Sequence, residues 1–195
     1  MEKIVIHKQD QKTSEWSGGS TTELYLFPPD ASYAERNFLF RISTAICRDE
    51  ESVFTRLPDT VRILMLLHGN LSLSHDGGEW ICLKSGEQDT FDGGVMTCSK
   101  GKCTDFNLML KRGTGGEVMM LYLAENDSFT GAMKQEYIGV YLMDGVLELC
   151  SENTVELQPG DFCMLHGREA SERWCIRAEK ECHVVVAYIN IAHAK

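Results

Sequence analysis

Short apolar runs, cut at close intervals by glycine- and aspartate-containing turns, restrict this chain more than any other feature of its sequence. Runs rich in β-branched, aromatic and leucine residues cover 4–7, 21–27, 38–47, 61–67, 71–74, 80–83, 105–110 and 118–123. They continue over 137–143, 146–150, 154–157, 174–177 and 182–191. Such residues fit a pleated, half-buried surface, and they predict strands. Asp76-Gly77-Gly78 and Asp144-Gly145 are hairpin signals, because glycine accepts the positive φ of tight turns. Only 125–135 is left for a short helix or an irregular connector.

An internal echo divides the chain. Leu66-Leu67-His68-Gly69-Asn70-Leu71-Ser72-Leu73, followed by Lys84-Ser85-Gly86-Glu87, is matched by Leu142-Met143-Asp144-Gly145-Val146-Leu147-Glu148-Leu149, followed by Gln158-Pro159-Gly160-Asp161. Each copy runs from an apolar strand through a glycine turn into an alternating strand and then a second turn. Short antiparallel strands at this spacing predict a small barrel or jelly roll in each copy. The division is expected at 124/125, giving halves 1–124 and 125–195.

At 195 residues and 43% apolar content, the chain can bury a core in each half. No apolar run, 63–67 among them, approaches the roughly 20 residues of a membrane helix. The start, MEKIVIHKQDQK, has no apolar core of a signal peptide, so a cytoplasmic protein with no membrane partner is expected. A net charge of −10 repels a phosphate backbone. Lys111-Arg112 and the pair Lys100 and Lys102 make no basic patch, so nucleic acid is not an expected partner. The eight cysteines include no Cys-x-x-Cys. They are expected to be free, including Cys98 and Cys103 on either side of Ser99-Lys100-Gly101-Lys102.

Val155-Glu156-Leu157-Gln158-Pro159-Gly160-Asp161 resembles the strand-turn element of cupins. In the first half stand Trp16-Ser17-Gly18-Gly19, Arg41-Ile42-Ser43, Phe91-Asp92-Gly93 and Asp105-Phe106-Asn107-Leu108-Met109-Leu110-Lys111-Arg112-Gly113. In this order they resemble the HutD/Ves family of double cupins. The resemblance implies an all-β bicupin, two jelly-roll barrels in one compact chain, in a cytoplasmic bacterial protein. It also implies an accessory or regulatory role, some members being encoded with histidine-utilisation genes. No established enzymatic activity comes with it.

Metal-binding cupins supply histidines and a glutamate, which suit a site with open positions. The corresponding positions here, 56–62 and 131–138 upstream of the glycine turns, hold no histidine, and Thr97 and Ser171 stand near the later ligand position. The six histidines, His7, His68, His75, His166, His183 and His193, are scattered. No metal and no cofactor are therefore expected. His68 and His75 flank one predicted hairpin, and a lone histidine is more often a hydrogen-bonded residue than a ligand.

Strand alternation places Arg41, Ser43, Ala45 and Cys47 on one face, opposite Phe40 and Ile42. The same rule groups Thr21, Glu23 and Tyr25, and groups Asp105, Asn107 and Met109. A lumen lined by Thr21, Glu23, Arg41, Ser43, Asp92 and Asn107, with Trp16 or Phe91 as an apolar wall, suits a small polar metabolite, above all a carboxylate, which a guanidinium grips with two parallel donors. The plainer alternative is that Arg41 pairs with Glu23, or that both face water. Glycines 18, 19 and 93 read first as backbone requirements. Three functions fit: a non-catalytic binding protein with no catalytic residues; a metal-independent isomerase or hydrolase drawing on Glu23, Asp92, Asp105 or His166; and an interaction protein, such as a homodimer formed through 182–191.

Overall fold

The computed structural model describes residues 1–167 and 169–192. Among these, nineteen strands form: β1 (Glu2–Ile6), β2 (Lys12–Trp16), β3 (Gly19–Phe27), β4 (Phe40–Cys47), β5 (Glu51–Val53), β6 (Thr60–Gly69), β7 (Leu71–His75), β8 (Ile81–Leu83), β9 (Gln88–Asp92), β10 (Thr97–Lys100), β11 (Cys103–Lys111), β12 (Thr114–Leu123), β13 (Ser128–Ala132), β14 (Tyr137–Leu142), β15 (Val146–Cys150), β16 (Thr154–Leu157), β17 (Phe162–His166), β18 (Arg173–Lys180) and β19 (Cys182–Ile191). A single 3-10 turn occupies Lys8–Asp10, and among the described residues no helix is long and apolar enough to cross a membrane. The connector allowed as a helix at 125–135 contains β13, which pairs with β18 along its full length.

The strands gather into two compact units. One is Lys12–Thr114. The other combines Met1–Gln11 with the chain from Gly115 onward. These bounds differ from the division expected at 124/125, for two reasons visible in the sheets. β1 pairs with β17, which draws the first residues into the later unit. β12 joins the sheet that holds β19, so the change of unit comes before it.

Each unit contains a larger sheet and a four-stranded sheet. In Lys12–Thr114 the orders are β2-β3-β4-β11-β6-β9 and β5-β10-β7-β8. Leu64, Leu66, Cys47, Cys103 and Phe91 of the first sheet pack with Leu71 and Leu73 of the second. Burying such side chains between two sheets is what stabilises a sandwich. In the other unit the orders are β1-β17-β14-β19-β12 and β13-β18-β15-β16. There Ile138, Val140, Leu165, Val184 and Val186 pack with Leu147, Leu149, Trp174 and Ile176. In β19, residues on both faces, Val184, Val185, Val186 and Ala187, are fully buried within the single chain.

The Trp16-x-Gly18-Gly19 element has a steric cause. A Cβ on Gly18 would lie 2.2 Å from the Trp16 ring, and one on Gly19 would lie 1.8 Å from the Ile46 carbonyl oxygen across the β3–β4 pairing. Both glycines let backbone and indole approach where a side chain would not fit. Gly19→Ala is expected to lower stability by about 2–4 kcal/mol, since the sheet must part to admit the methyl. Gly77→Ala, whose Cβ meets nothing within 4 Å at φ +73°, should cost only the roughly 1–2 kcal/mol of a left-handed residue. Urea unfolding of the two variants measures the difference.

Candidate functional site

The inner face of the six-stranded sheet carries a cavity of about 280 Å³. Its position follows from strand register. Arg41, Ser43 and Ala45 on β4 sit directly opposite Met109, Asn107 and Asp105 on β11. Residues directly opposite share a face, so both sets line the cavity. Met109 in turn opposes Arg62 on β6, which brings a second guanidinium to the same wall. Thr21 on β3, Ser14 and Trp16 on β2, Tyr33, Phe54 and Cys47 complete most of the lining. On the opposite face of β4 and β11, Phe40, Ile42, Phe106 and Leu108 are fully buried. The alternation of charged and apolar residues in Arg-Ile-Ser and Asp-Phe-Asn-Leu-Met therefore divides one apolar layer from one polar cavity.

Of the residues proposed from sequence, Trp16, Thr21, Arg41, Ser43 and Asn107 line the cavity, and Glu23, Phe91 and Asp92 stand outside its lining. Glu23 accepts a 2.8 Å hydrogen bond from Arg41 Nε, so the ion-pair alternative is realised while Arg41 still faces the cavity. Arg41 Nη1 also donates to Ser43 Oγ at 3.3 Å, and its guanidinium lies 4.2 Å from the centre of the Tyr33 ring. Trp16 Nε1 donates to Thr21 Oγ1 at 3.2 Å, fixing the indole at the rim. Phe91 is a core residue, packed beneath the Arg62 guanidinium at 5.3 Å and against the His75 ring at 4.6 Å. Asp92 has a turn role, accepting the Gly94 N–H at 2.7 Å. Tyr25 is not on the face of Thr21 and Glu23, because the β3–β4 register shifts between Glu23 and Tyr25. The extra residue turns Tyr25 to stack on Phe40.

Among the described residues no histidine lines this cavity. His75 Nε2 lies 2.7 Å from Asp89 and Nδ1 lies 2.9 Å from Thr97, a cross-strand tie rather than a partnership with His68. His166 stacks on Tyr137 at 4.5 Å in the other unit. His193 lies outside the described residues. All eight cysteines are free, Cys98 and Cys103 included.

Arg62, which the sequence did not single out, and Asp105, named there only as a possible acid–base group, both line the cavity. Both are nearly inaccessible, at 6% and 2% exposure. Arg62 Nε, Asp105 Oδ1 and Asn107 Oδ1 have no hydrogen-bond partner within the protein. Burial pushes the Asp105 carboxyl up to about 7, with the Arg62 charge pulling the other way. Burial also brings the Arg62 guanidinium down to about 10, so it remains a cation at neutral pH. Arg62 was readable in principle: Thr60, Arg62, Leu64 and Leu66 alternate on one strand, which puts a charge at an inward position. Tyr33 comes from the connection between β3 and β4, where no periodicity could have pointed to it.

The sequence model of HutD matches residues 8–186. The chain belongs to the HutD family. The structure of a conserved protein of unknown function from Pseudomonas aeruginosa is similar at 20% identity and a TM-score of 0.86, covering 97% of this chain and all of the other. HutD from Pseudomonas fluorescens is similar at 19% identity and a TM-score of 0.73, covering 98% and 100%. A cupin 2 conserved barrel domain protein from Leptotrichia buccalis is similar at 11% identity and a TM-score of 0.59, covering 96% of each chain. No curated protein matches the sequence. At these identities the structural likenesses establish the all-β cupin fold of this HutD-family chain, and the family match extends across both units.

The raised Asp105 pKa gives a signed expectation. An acid whose pKa is higher folded than unfolded binds more protons in the folded state, so its contribution to stability falls as pH rises from about 4 to about 7. An asparagine side chain cannot ionise. The stability of Asp105→Asn relative to wild type should therefore increase across that window and level off above it. Urea unfolding from pH 4 to pH 8, in buffer containing a chelator, measures this; a constant difference would mean that Asp105 does not titrate there.

Proposed function

We propose that this HutD-family chain is a non-catalytic, cytoplasmic binding protein that holds a small carboxylate-bearing metabolite in the cavity of the Lys12–Thr114 unit, with an accessory or regulatory role in histidine utilisation. The observation that carries the reading is the pairing of two buried guanidiniums, Arg41 and Arg62, on one cavity wall. Glu23 neutralises Arg41 from one side. Arg62 is different: burial pushes its neighbouring carboxyl, Asp105, up to about 7, and its Nε has no partner in the protein. A buried cation in that position gains from an incoming anion. The planar fork of donors matches a carboxylate, and Ser43, Thr21 and Asn107 add directional hydrogen bonds. Trp16, Tyr33 and Phe54 supply apolar walls. The volume suits a metabolite of a few carbons. Membership of the family supports the histidine-utilisation setting.

Native mass spectrometry of the purified chain, followed by calorimetry with small mono- and dicarboxylates including those of histidine breakdown, tests this reading. Saturable binding at one site is expected. Arg62→Met and Arg41→Ala should each weaken it by about 10–100-fold, the usual worth of a hydrogen bond to a charged group. Unchanged affinity in both variants would remove the cavity from consideration.

One observation favours a second reading, an isomerase- or hydrolase-type enzyme in the same cavity: Asp105 has a pKa near the operating pH of an acid–base group. Turnover of a bound carboxylate that disappears in Asp105→Asn, with binding retained, would decide for it.

A further inference from the structure

We propose that Cys47, Cys103 and Asp105 form a site for one zinc-type divalent cation at the inner end of the cavity in the Lys12–Thr114 unit, with a coordination position left open towards that cavity. Strand geometry assembles the three. Cys103 and Asp105 are two residues apart on β11 and so share a face. Cys47 is the direct partner of Cys103 on β4. One ligand atom from each residue lies within 4.8 Å of the others, and all three residues are buried. Cys47 Sγ stands 4.0 Å from Asp105 Oδ2. Tetrahedral zinc with bonds of about 2.0–2.3 Å requires ligand atoms roughly 3.3–3.8 Å apart, so small side-chain adjustments close the site.

A separate observation points to a ligand there. Asp105 Oδ1 is buried, has no hydrogen-bond partner within the protein, and belongs to a residue lining the cavity. The electrostatics also balance. Two thiolates and a carboxylate exceed the charge of a dication by one, and the Arg62 guanidinium, which interacts electrostatically with Asp105, offsets the remainder. The donor set sorts the metals: thiolates favour zinc and other soft ions over calcium or magnesium. Three protein ligands with one position open is the arrangement of a reactive rather than a closed structural zinc site. Cys47 and Asp105 line the cavity and Cys103 does not, so the open position lies on the side of the first two. Binding sends the two thiol protons to solvent and therefore strengthens with pH. This ligand set differs from the histidine set of metal-binding cupins, and it does not rest on the carboxylate reading.

The test uses the full chain, reduced and shown to have eight free thiols, titrated with cobalt(II) alone as the spectroscopic probe. The expected result is saturation at one equivalent, with sulfur-to-cobalt charge-transfer absorption and intense tetrahedral ligand-field bands, displaced by one equivalent of zinc. Cys103→Ser and Asp105→Asn should each weaken cobalt binding at least about tenfold. Cys150 and Cys175 are direct partners on β15 and β18 of the other unit but lack a third ligand among the described residues; replacing both with serine should leave the spectrum intact. No charge-transfer band from the reduced wild-type chain would overturn the proposal. So would a band that survives Cys47→Ser with Cys103→Ser, or one lost with Cys150→Ser and Cys175→Ser. The wild-type titration and the Cys150/Cys175 control decide the matter even where a variant of a buried ligand fails to fold.

Discussion

The pairing of β4 with β11 at the centre of the six-stranded sheet is the constraint on which the rest of the Lys12–Thr114 unit depends. Its register runs unbroken from Cys103 opposite Cys47 to Leu110 opposite Phe40. Because side chains alternate with a period of two, a slip of one residue would send Arg41, Ser43, Asp105 and Asn107 into the apolar layer and bring Phe40, Ile42, Phe106 and Leu108 into the cavity. The four apolar side chains, all fully buried, hold the register against that exchange. The polar site is thus fixed by the burial of residues that never touch it.

Burial also sets the chemistry of the cavity. A guanidinium and a carboxyl in water would hold ordinary pKa values and weak mutual attraction. Here both are desolvated, which raises Asp105 and lowers Arg62. Arg41 is paired with Glu23, whose partly exposed carboxylate keeps contact with solvent. The outcome is a wall with one compensated and one incompletely compensated cation, beside a thiol–thiol–carboxyl cluster. The proposed anion and cation sites are complementary ways of satisfying the same group of buried polar atoms.

Much of this was legible in the sequence, and most of the missed strands share a cause. Long apolar runs such as those of β6, β11, β14 and β19 declare themselves through hydrophobicity. β2, Lys12–Trp16, is exposed at every position, and β5, β9, β10 and β13 are short and polar. Such strands exist because neighbouring strands offer backbone donors and acceptors, a tertiary circumstance with no composition of its own. Alternation correctly grouped Arg41 with Ser43 and Asp105 with Asn107. It failed at Tyr25, where the register shift between Glu23 and Tyr25 reverses the faces; Phe91 and Asp92, taken from a motif rather than from alternation, hold a core contact and a turn. Histidine register does not point to Cys103-Thr104-Asp105, because the third member of that group, Cys47, lies 56 residues before Cys103 and becomes its neighbour only through pairing.

The sequence by itself determined the all-β class, the HutD-family motifs, the face of β4 that carries Arg41 and Ser43, and the glycines that make room for Trp16. Each of these follows from local sterics or from the two-residue period of a strand. Only the tertiary structure decided that Arg41 binds Glu23, that Arg62 joins it on one wall, that the first strand belongs with the later unit, and that Cys47 meets Cys103 and Asp105. Those outcomes depend on which strands become neighbours and in what register, and that choice is made by the summed burial of two whole sheets rather than by any segment alone.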